Sequence, residues 1–213
     1  GVVACLAESV YGLGGDGLNP QSSQKIYLAK GRPSDNPLII HIADFDALAP
    51  IVSDIPEKVY TLAKEFWPGP LTMVLERSDI VPQETTGGLN TIAVRMPKDP
   101  IALEFIRAAG GYVAAPSANL SGRPSPTHAK YVIEDMEGRI DLILAAEEES
   151  QIGIESTILD MTTDTPCILR PGFITKEMLE NALDTANIPP VDLLIRTGGD
   201  FRLSNFLQFF RLI

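Results

Sequence analysis

Short apolar runs without polar alternation, set between stretches of helical period, constrain the fold of this chain more than any other feature. A strand exposed on one face alternates polar and apolar side chains; a strand covered on both faces does not. Residues 2–6 (VVACL) and 38–42 (LIIHI) have the covered character, and 71–76 (LTMVLE), 91–96 (TIAVRM), 142–145, 156–160 and 167–169 read as further strands. Between the runs, Asn19 and Pro20 supply a cap and a first-turn residue for a helix to about Lys30. Residues 56–67 place Val59, Leu62, Ala63 and Phe66 on one helical face before Pro68 and Gly69 stop the turn. Residues 100–109 and 128–136 repeat the helical period, and Thr175 caps a last helix to Leu183. Alternating strands and helices predict an α/β layered sheet, with antiparallel pairing where strands follow one another directly.

Formal net charge is −11, from 28 acidic and 17 basic residues, which opposes broad non-specific nucleic-acid binding because that affinity comes from Lys and Arg neutralising phosphates. Any polyanion must be held locally. No apolar run has the ~18 residues a membrane span needs, and residues 1–6 read as a buried strand and not a signal peptide, so a cytoplasmic protein is expected. Cys5 and Cys167 lie in apolar runs without partners at metal-ligand spacing and read as small buried hydrophobes. The run EEES, 147–150, reads as a solvated turn.

Gly12, Gly14 and Gly17 satisfy G-x-G-x-x-G, but AESVY separates them from the first strand, where a dinucleotide site would have none of these residues. They read as glycines of a tight loop beside the sheet. Lys30 and Arg32 differ in kind. A point charge and a planar fork of donors suit a phosphate chain, Ser34 and Asn36 add neutral hydrogen-bonding groups, and Pro33 and Pro37 stiffen the loop. His41, between isoleucines, reads from its surroundings alone as a satisfied core histidine. Ser117, Asn119, Ser121 and Ser125 crowd the segment after an apolar strand, where α/β sheets place ligands. No G-x-S-x-G elbow is present to suggest a serine hydrolase.

Seven ordered segments, ESVYGLGGD, KGRPSDNPLIIHI, FWPGPLT, IAVRMPKDP, APSANLSGRPSPT, GIESTILD and ILRPGFIT, together resemble the Sua5/YrdC/TsaC family of threonylcarbamoyl-AMP synthases. The resemblance covers residues 1 to about 183. It implies a twisted mixed sheet with flanking helices around a deep basic cavity. It implies that Lys30, Arg32, Asn36, Thr91, Ser117, Asn119, Ser125 and Arg170 hold ATP, with Lys30, Arg32, Ser117 and Asn119 at the chemistry. Ser9, His41, Arg95, Ser156 and the backbone of Ala115 would hold threonine. The implied reaction joins L-threonine, bicarbonate or CO2, and ATP into threonylcarbamoyl-AMP and pyrophosphate with Mg2+, for the threonylcarbamoyl modification of tRNA. The resemblance implies tRNA-modification proteins as partners, with no membrane and no strong nucleic-acid binding.

Where that family usually has Pro-Thr-Glu-Thr, this chain has Leu6, Ala7, Glu8 and Ser9; Ser9 keeps a hydroxyl. It opens on the first strand without the usual preceding helix, so residues 1–187 are expected to form an N-terminally truncated domain of this type. Residues 188–213 begin with Pro189 and Pro190, and VDLLIRTGGDFRLSNFL resembles a signature of the cis-prenyltransferases, in which Arg196, Arg202 and Ser204 would bind a diphosphate. This tail is expected to have no independent fold and to lie against the outside of the domain or another copy. Two other readings stand beside the synthase. A non-catalytic RNA-binding module of the same fold is opposed by the acidic balance, and a prenyltransferase fragment lacks the rest of that enzyme.

Overall fold

The computed structural model describes residues 1–7, 10–145 and 155–183. The strands are β1 (Val3–Leu6), β2 (Tyr11–Asp16), β3 (Ile39–His41), β4 (Leu71–Glu76), β5 (Thr91–Arg95), β6 (Val113–Ala114), β7 (Leu142–Leu144), β8 (Thr157–Asp160) and β9 (Cys167–Arg170). Among the described residues they make one mixed sheet in the order β7-β1-β2-β6-β3-β5-β4-β8-β9. The pairs β1/β7, β3/β5 and β4/β8 are parallel; the others are antiparallel. Helices α1 (Pro20–Lys30), α2 (Glu57–Phe66), α3 (Gln83–Thr86), α4 (Pro100–Ala108), α5 (Ala129–Met136) and α6 (Lys176–Leu183) flank it. This is the expected twisted mixed α/β sheet.

Ile40 is buried as its strand predicts, and Leu71, Met73, Leu75 and Val94 also have at most 1% exposure and join Leu62 of α2 and Ile26 of α1 in one core. Helix ends follow the chemistry of their sequences. Asn19 accepts from the Gln21 N–H at the start of α1, and Thr175 accepts from the Met178 N–H at the start of α6. Gly31 ends α1 in a left-handed conformation, φ 59°, with its N–H bonded back to Leu28 and Tyr27. The chain therefore turns sharply straight after Lys30. None of the described helices is long and apolar enough to cross a membrane. Cys5 is buried and Cys167 half-buried, and neither forms a disulfide.

The glycine-rich segment corrects the sequence reading. Gly12, Gly14 and Gly15 belong to a strand, β2, which pairs antiparallel with β1 through Val3 and Gly14 and with β6 through Gly15 and Ala114. Glycine suits this strand because α4 and β6 press on it: a Cβ on Gly14 would lie 2.8 Å from Val113 Cγ1 and 3.0 Å from Phe105 Cε1. The segment 82–90 also contains more order than a plain connection, since α3 forms within it. The expected turn at 147–150, residue Ser9 and the tail from 188 lie outside the described residues.

Gly14→Ala should overpack the β2–α4 contact. A cost of about 1–3 kcal/mol is expected for such an insertion, and a domain of this size loses about 2–4 °C of Tm per kcal/mol. Thermal unfolding followed by circular dichroism checks it; an unchanged midpoint would contradict the close packing of β2.

Candidate functional site

The candidate site grows from the register of the sheet. His41 ends β3 opposite Arg95, which ends β5; Arg95 is opposite Thr72 of β4, Thr72 opposite Ile158 of β8, and Ile158 opposite Arg170 of β9. Cross-strand partners carry their side chains to the same face, on strands about 4.8 Å apart. His41, Arg95, Thr72 and Arg170 therefore form one polar row on one face, at the C-terminal ends of the parallel strands β3 and β5. Ligands of open α/β sheets collect at such ends.

Each member of the row is buried and held. Arg95 is 5% exposed, and its Nε donates to the Gly69 carbonyl oxygen (3.2 Å). His41 Nδ1 lies 3.3 Å from the Ile39 carbonyl oxygen. Burial pushes the His41 imidazole down to about 3, and the neighbouring Arg95 charge pushes the same way, against backbone hydrogen bonding at Ile39 and Val113. The ring is neutral at physiological pH. A small apolar pocket opens beside it, lined by Cys5, Leu6, Gly12, His41, Phe105 and Ala115 among others. Thr72 and Ser156 share a hydrogen bond between their hydroxyls (2.8 Å).

A second group forms where α1 ends. Lys30 is 3% exposed, and its Nζ donates to the carbonyl oxygens of Ser117 and Asn119 and to Asn119 Oδ1. Ser117 Oγ also donates to Asn119 Oδ1 (2.5 Å), so Lys30, Ser117 and Asn119 are one cluster. Asp135 of α5 fixes the loop beneath them, accepting from the Leu120 N–H (3.0 Å) and from Arg123 Nη1 (2.5 Å). The following loop is anchored in turn: Arg32 Nη2 donates to the Pro37 carbonyl oxygen (3.1 Å), and Tyr27 Oη donates to that of buried Asn36 (3.0 Å). Burial pushes the Lys30 ammonium down to about 7 and Arg32 adds to the shift, while Glu155 and Asp135 oppose it.

Ser125 and Arg170 meet at a carboxylate. Ser125 Oγ donates to Glu155 Oε1 (2.7 Å) and Arg170 Nη1 donates to Glu155 Oε2. Thr91 starts β5, four residues before Arg95, hence about 13 Å along the strand at ~3.3 Å per residue. Because Ala93 is opposite Ile39, Thr91 stands level with Pro37, at the end of the sheet where the Arg32–Asn36 loop enters. The expected nucleotide residues Lys30, Arg32, Asn36, Thr91, Ser117 and Asn119 thus gather towards one end of β3 and β5. The expected threonine residues His41 and Arg95 sit at the other, with Ala115, whose N–H bonds the Ile39 carbonyl oxygen, along the way. Ser9 lies outside the described residues.

Three supporting residues escaped the sequence reading: Thr72, Asp135 and Glu155. Thr72 had a signal, as a polar residue inside a covered strand. Asp135 and Glu155 had none, because their partners lie 12 to 30 residues away in sequence.

The profile of the Sua5/YciO/YrdC family, described as telomere recombination, matches residues 1–172. A threonylcarbamoyl-AMP synthase of Pyrococcus abyssi is 50% identical over 189 residues, covering 89% of this chain and 55% of its own length. One from Bacillus subtilis is 50% identical over 188 residues, covering 88% of this chain and 54% of its own length. The structure of P. abyssi Sua5 complexed with L-threonine superposes with a TM-score of 0.86 at 49% identity, covering 89% of this chain and 55% of that one. The chain spans about half the length of these relatives.

The buried Lys30 carries a pH signature. From about pH 7 to its ordinary value of 10.5, the unfolded chain binds a proton on this lysine that the folded chain does not, so its contribution to stability rises with pH. Above pH 9 the raised Cys5 thiol works the other way, which leaves pH 7–9 as the clean window. Between those pH values, the stability of the wild type relative to Lys30→Met should rise on the order of 2 kcal/mol. Urea unfolding of both proteins at the two pH values checks it; a constant difference would show Lys30 to be charged in the folded state.

Proposed function

The chain belongs to the Sua5/YciO/YrdC family, and from that premise we propose that it makes threonylcarbamoyl-AMP and pyrophosphate from L-threonine, CO2 or bicarbonate, and ATP. The observation that supports this reading is the separation of a Lys30/Arg32/Ser117/Asn119 group at one end of β3 and β5 from His41 and Arg95 at the other, with Arg170 in the same row as Arg95. Lys30 and Arg32 hold the phosphate chain, with Asn36, Thr91, Ser117, Asn119 and Ser125 as further nucleotide contacts and Arg170 nearest the threonine side. Arg95 pairs with the threonine carboxylate, a task for which a bidentate fork is suited. His41, Ala115, Ser156 and Ser9 complete the threonine contacts. Neutral His41 adds no positive charge beside the substrate ammonium.

The chemistry has two steps. The threonine amine nitrogen, having lost a proton, attacks CO2 and releases a second proton to leave a carbamate. A carbamate oxygen then bonds to the α-phosphorus as its bond to the pyrophosphate oxygen breaks. Both reactants are anions, so cations and fixed in-line geometry serve this reaction better than a covalent nucleophile. Mg2+ enters the reading as the companion of the triphosphate, held mainly through substrate phosphates and its own waters and supplying further charge neutralisation. The product would pass to tRNA-modification proteins in the cytoplasm. The net charge of −11 favours small-molecule chemistry over broad nucleic-acid binding.

Incubation with ATP, threonine and bicarbonate should yield threonylcarbamoyl-AMP by mass spectrometry, with pyrophosphate release requiring both other substrates. A folded protein that forms neither product refutes the reading. Arg32→Ala should weaken ATP binding by about tenfold or more, the usual consequence of losing charge-assisted hydrogen bonds, with a smaller effect on threonine. Arg95→Ala should do the reverse. Equal effects of both changes on both ligands, measured calorimetrically, would contradict separate subsites. We also assign the activity to residues 1–187 and treat 188–213 as an appended segment; deleting 188–213 should preserve pyrophosphate release. Loss of nucleotide binding in a folded deletion protein would bring Arg196 or Arg202 into the site.

A further inference from the structure

A carboxylate beside the arginine of an anion site calls for a physical reason, because it repels the ligand that the arginine attracts. Glu155 occupies that position. Its Oε1 accepts from Ser125 Oγ (2.7 Å) and its Oε2 from Arg170 Nη1. Arg170 Nε and Nη2 donate to the Ser156 carbonyl oxygen (3.1 and 2.7 Å), and Nη2 also donates to Ser156 Oγ (3.0 Å). The side chain of Arg170 is 8% exposed and that of Glu155 24%. The backbone around Glu155 has little room to adjust: a Cβ on Gly172 would stand 2.5 Å from the Glu155 carbonyl oxygen and from the Thr157 nitrogen.

Ser125 and Arg170 lie on separate loops and strands, 45 positions apart by their numbers, and Glu155 joins them directly. The same carboxylate acts electrostatically on Lys30 as well as on Arg170, opposing the burial that disfavours both charges. Arg170 Nη1 only donates and needs an acceptor oxygen, and the carboxylate supplies it together with a second oxygen for Ser125 and a charge. A glutamine in its place can keep both contacts, its Oε1 accepting from Arg170 and its NH2 donating to the Ser125 hydroxyl, whereas a leucine offers neither.

We propose that Glu155 is a positioning residue whose two carboxylate oxygens lock Ser125 and Arg170 into a single nucleotide-binding unit. The inference rests on the synthase reading, in which Ser125 and Arg170 face the nucleotide. Glu155 acts through those two residues and needs no contact with substrate. Its repulsion of the triphosphate is partly screened by solvent, so the lost tethers outweigh it when Glu155 is changed.

The test is calorimetric titration of ATP and, separately, of threonine into the wild type, Glu155→Leu, Glu155→Asp, Ser125→Ala and the Ser125→Ala/Glu155→Leu double variant. Glu155→Leu should bind ATP about tenfold more weakly, the scale of a lost charge-assisted hydrogen bond, and bind threonine within about twofold of wild type. Glu155→Asp, which keeps both oxygens on a shorter stem, should fall between. The double variant should match Glu155→Leu alone, because the serine tether is already broken. Unchanged or tighter ATP binding by folded Glu155→Leu overturns the proposal, as do equal losses for both ligands or multiplied losses in the double variant. If Glu155→Leu does not fold, unaltered ATP affinity in Glu155→Asp overturns it. A wild type that binds no ATP refutes the synthase reading together with this one, whereas normal wild-type binding with an indifferent Glu155 refutes this one alone.

Discussion

The pairing register of β3, β5, β4, β8 and β9 is the constraint on which the rest of the site depends. His41, Arg95, Thr72 and Arg170 share a face because each is opposite the next, or opposite Ile158 between them. A slip of one residue in any pair would send that strand's side chains to the opposite face. The apolar residues guard against this. Ile40, Val94 and Met73 alternate with the polar row and are fully buried in the apolar core, so a slipped strand would move them onto the polar face and put the charges among apolar side chains without their hydrogen-bond partners.

Holding several cations within one buried region is costly, and the structure offsets this with oxygen atoms more than with counter-charges. Lys30 faces two carbonyls and an amide oxygen, Arg95 a carbonyl, and Arg170 a carbonyl and a hydroxyl besides Glu155. Neutral acceptors satisfy the donors and leave the net positive charge to act on an anionic ligand. The depressed Lys30 ammonium is the residue of that compromise, since burial and Arg32 both disfavour its charge. An arriving polyphosphate would restore it. Support for the loops comes from further out, from Asp135 under the Ser117–Asn119 turn and from Tyr27 across the Arg32–Asn36 loop.

Much of this was legible in the order of residues. The covered strand at 38–42, the strands at 71–76 and 91–96, the Asn19 and Thr175 caps and the apolar face of α2 all follow from local rules that the tertiary structure obeys. The strand β2 was not legible, because glycine in a strand earns its place only through the closeness of Val113 and Phe105, nearly a hundred residues away. Among the candidate residues, Lys30 and Arg32 stood out as cations in a stiff loop. His41 read two ways, as a core histidine from its neighbours and as a ligand contact from the family resemblance. The structure makes it buried and neutral, yet lining a pocket.

By itself, then, the sequence determined the α/β class, most element positions and the residue types available for chemistry, since periodicity, capping and side-chain charge are properties of short segments. Only the tertiary structure decided which of those residues meet. The polar row exists through strand pairing between segments that are distant in the chain, the Lys30 cluster through the docking of the α1 terminus on the loop after β6, and the Ser125–Glu155–Arg170 bridge through the approach of two loop segments to the end of β9. Non-local contacts of this kind are fixed by the packing of the whole core, and no local pattern encodes them.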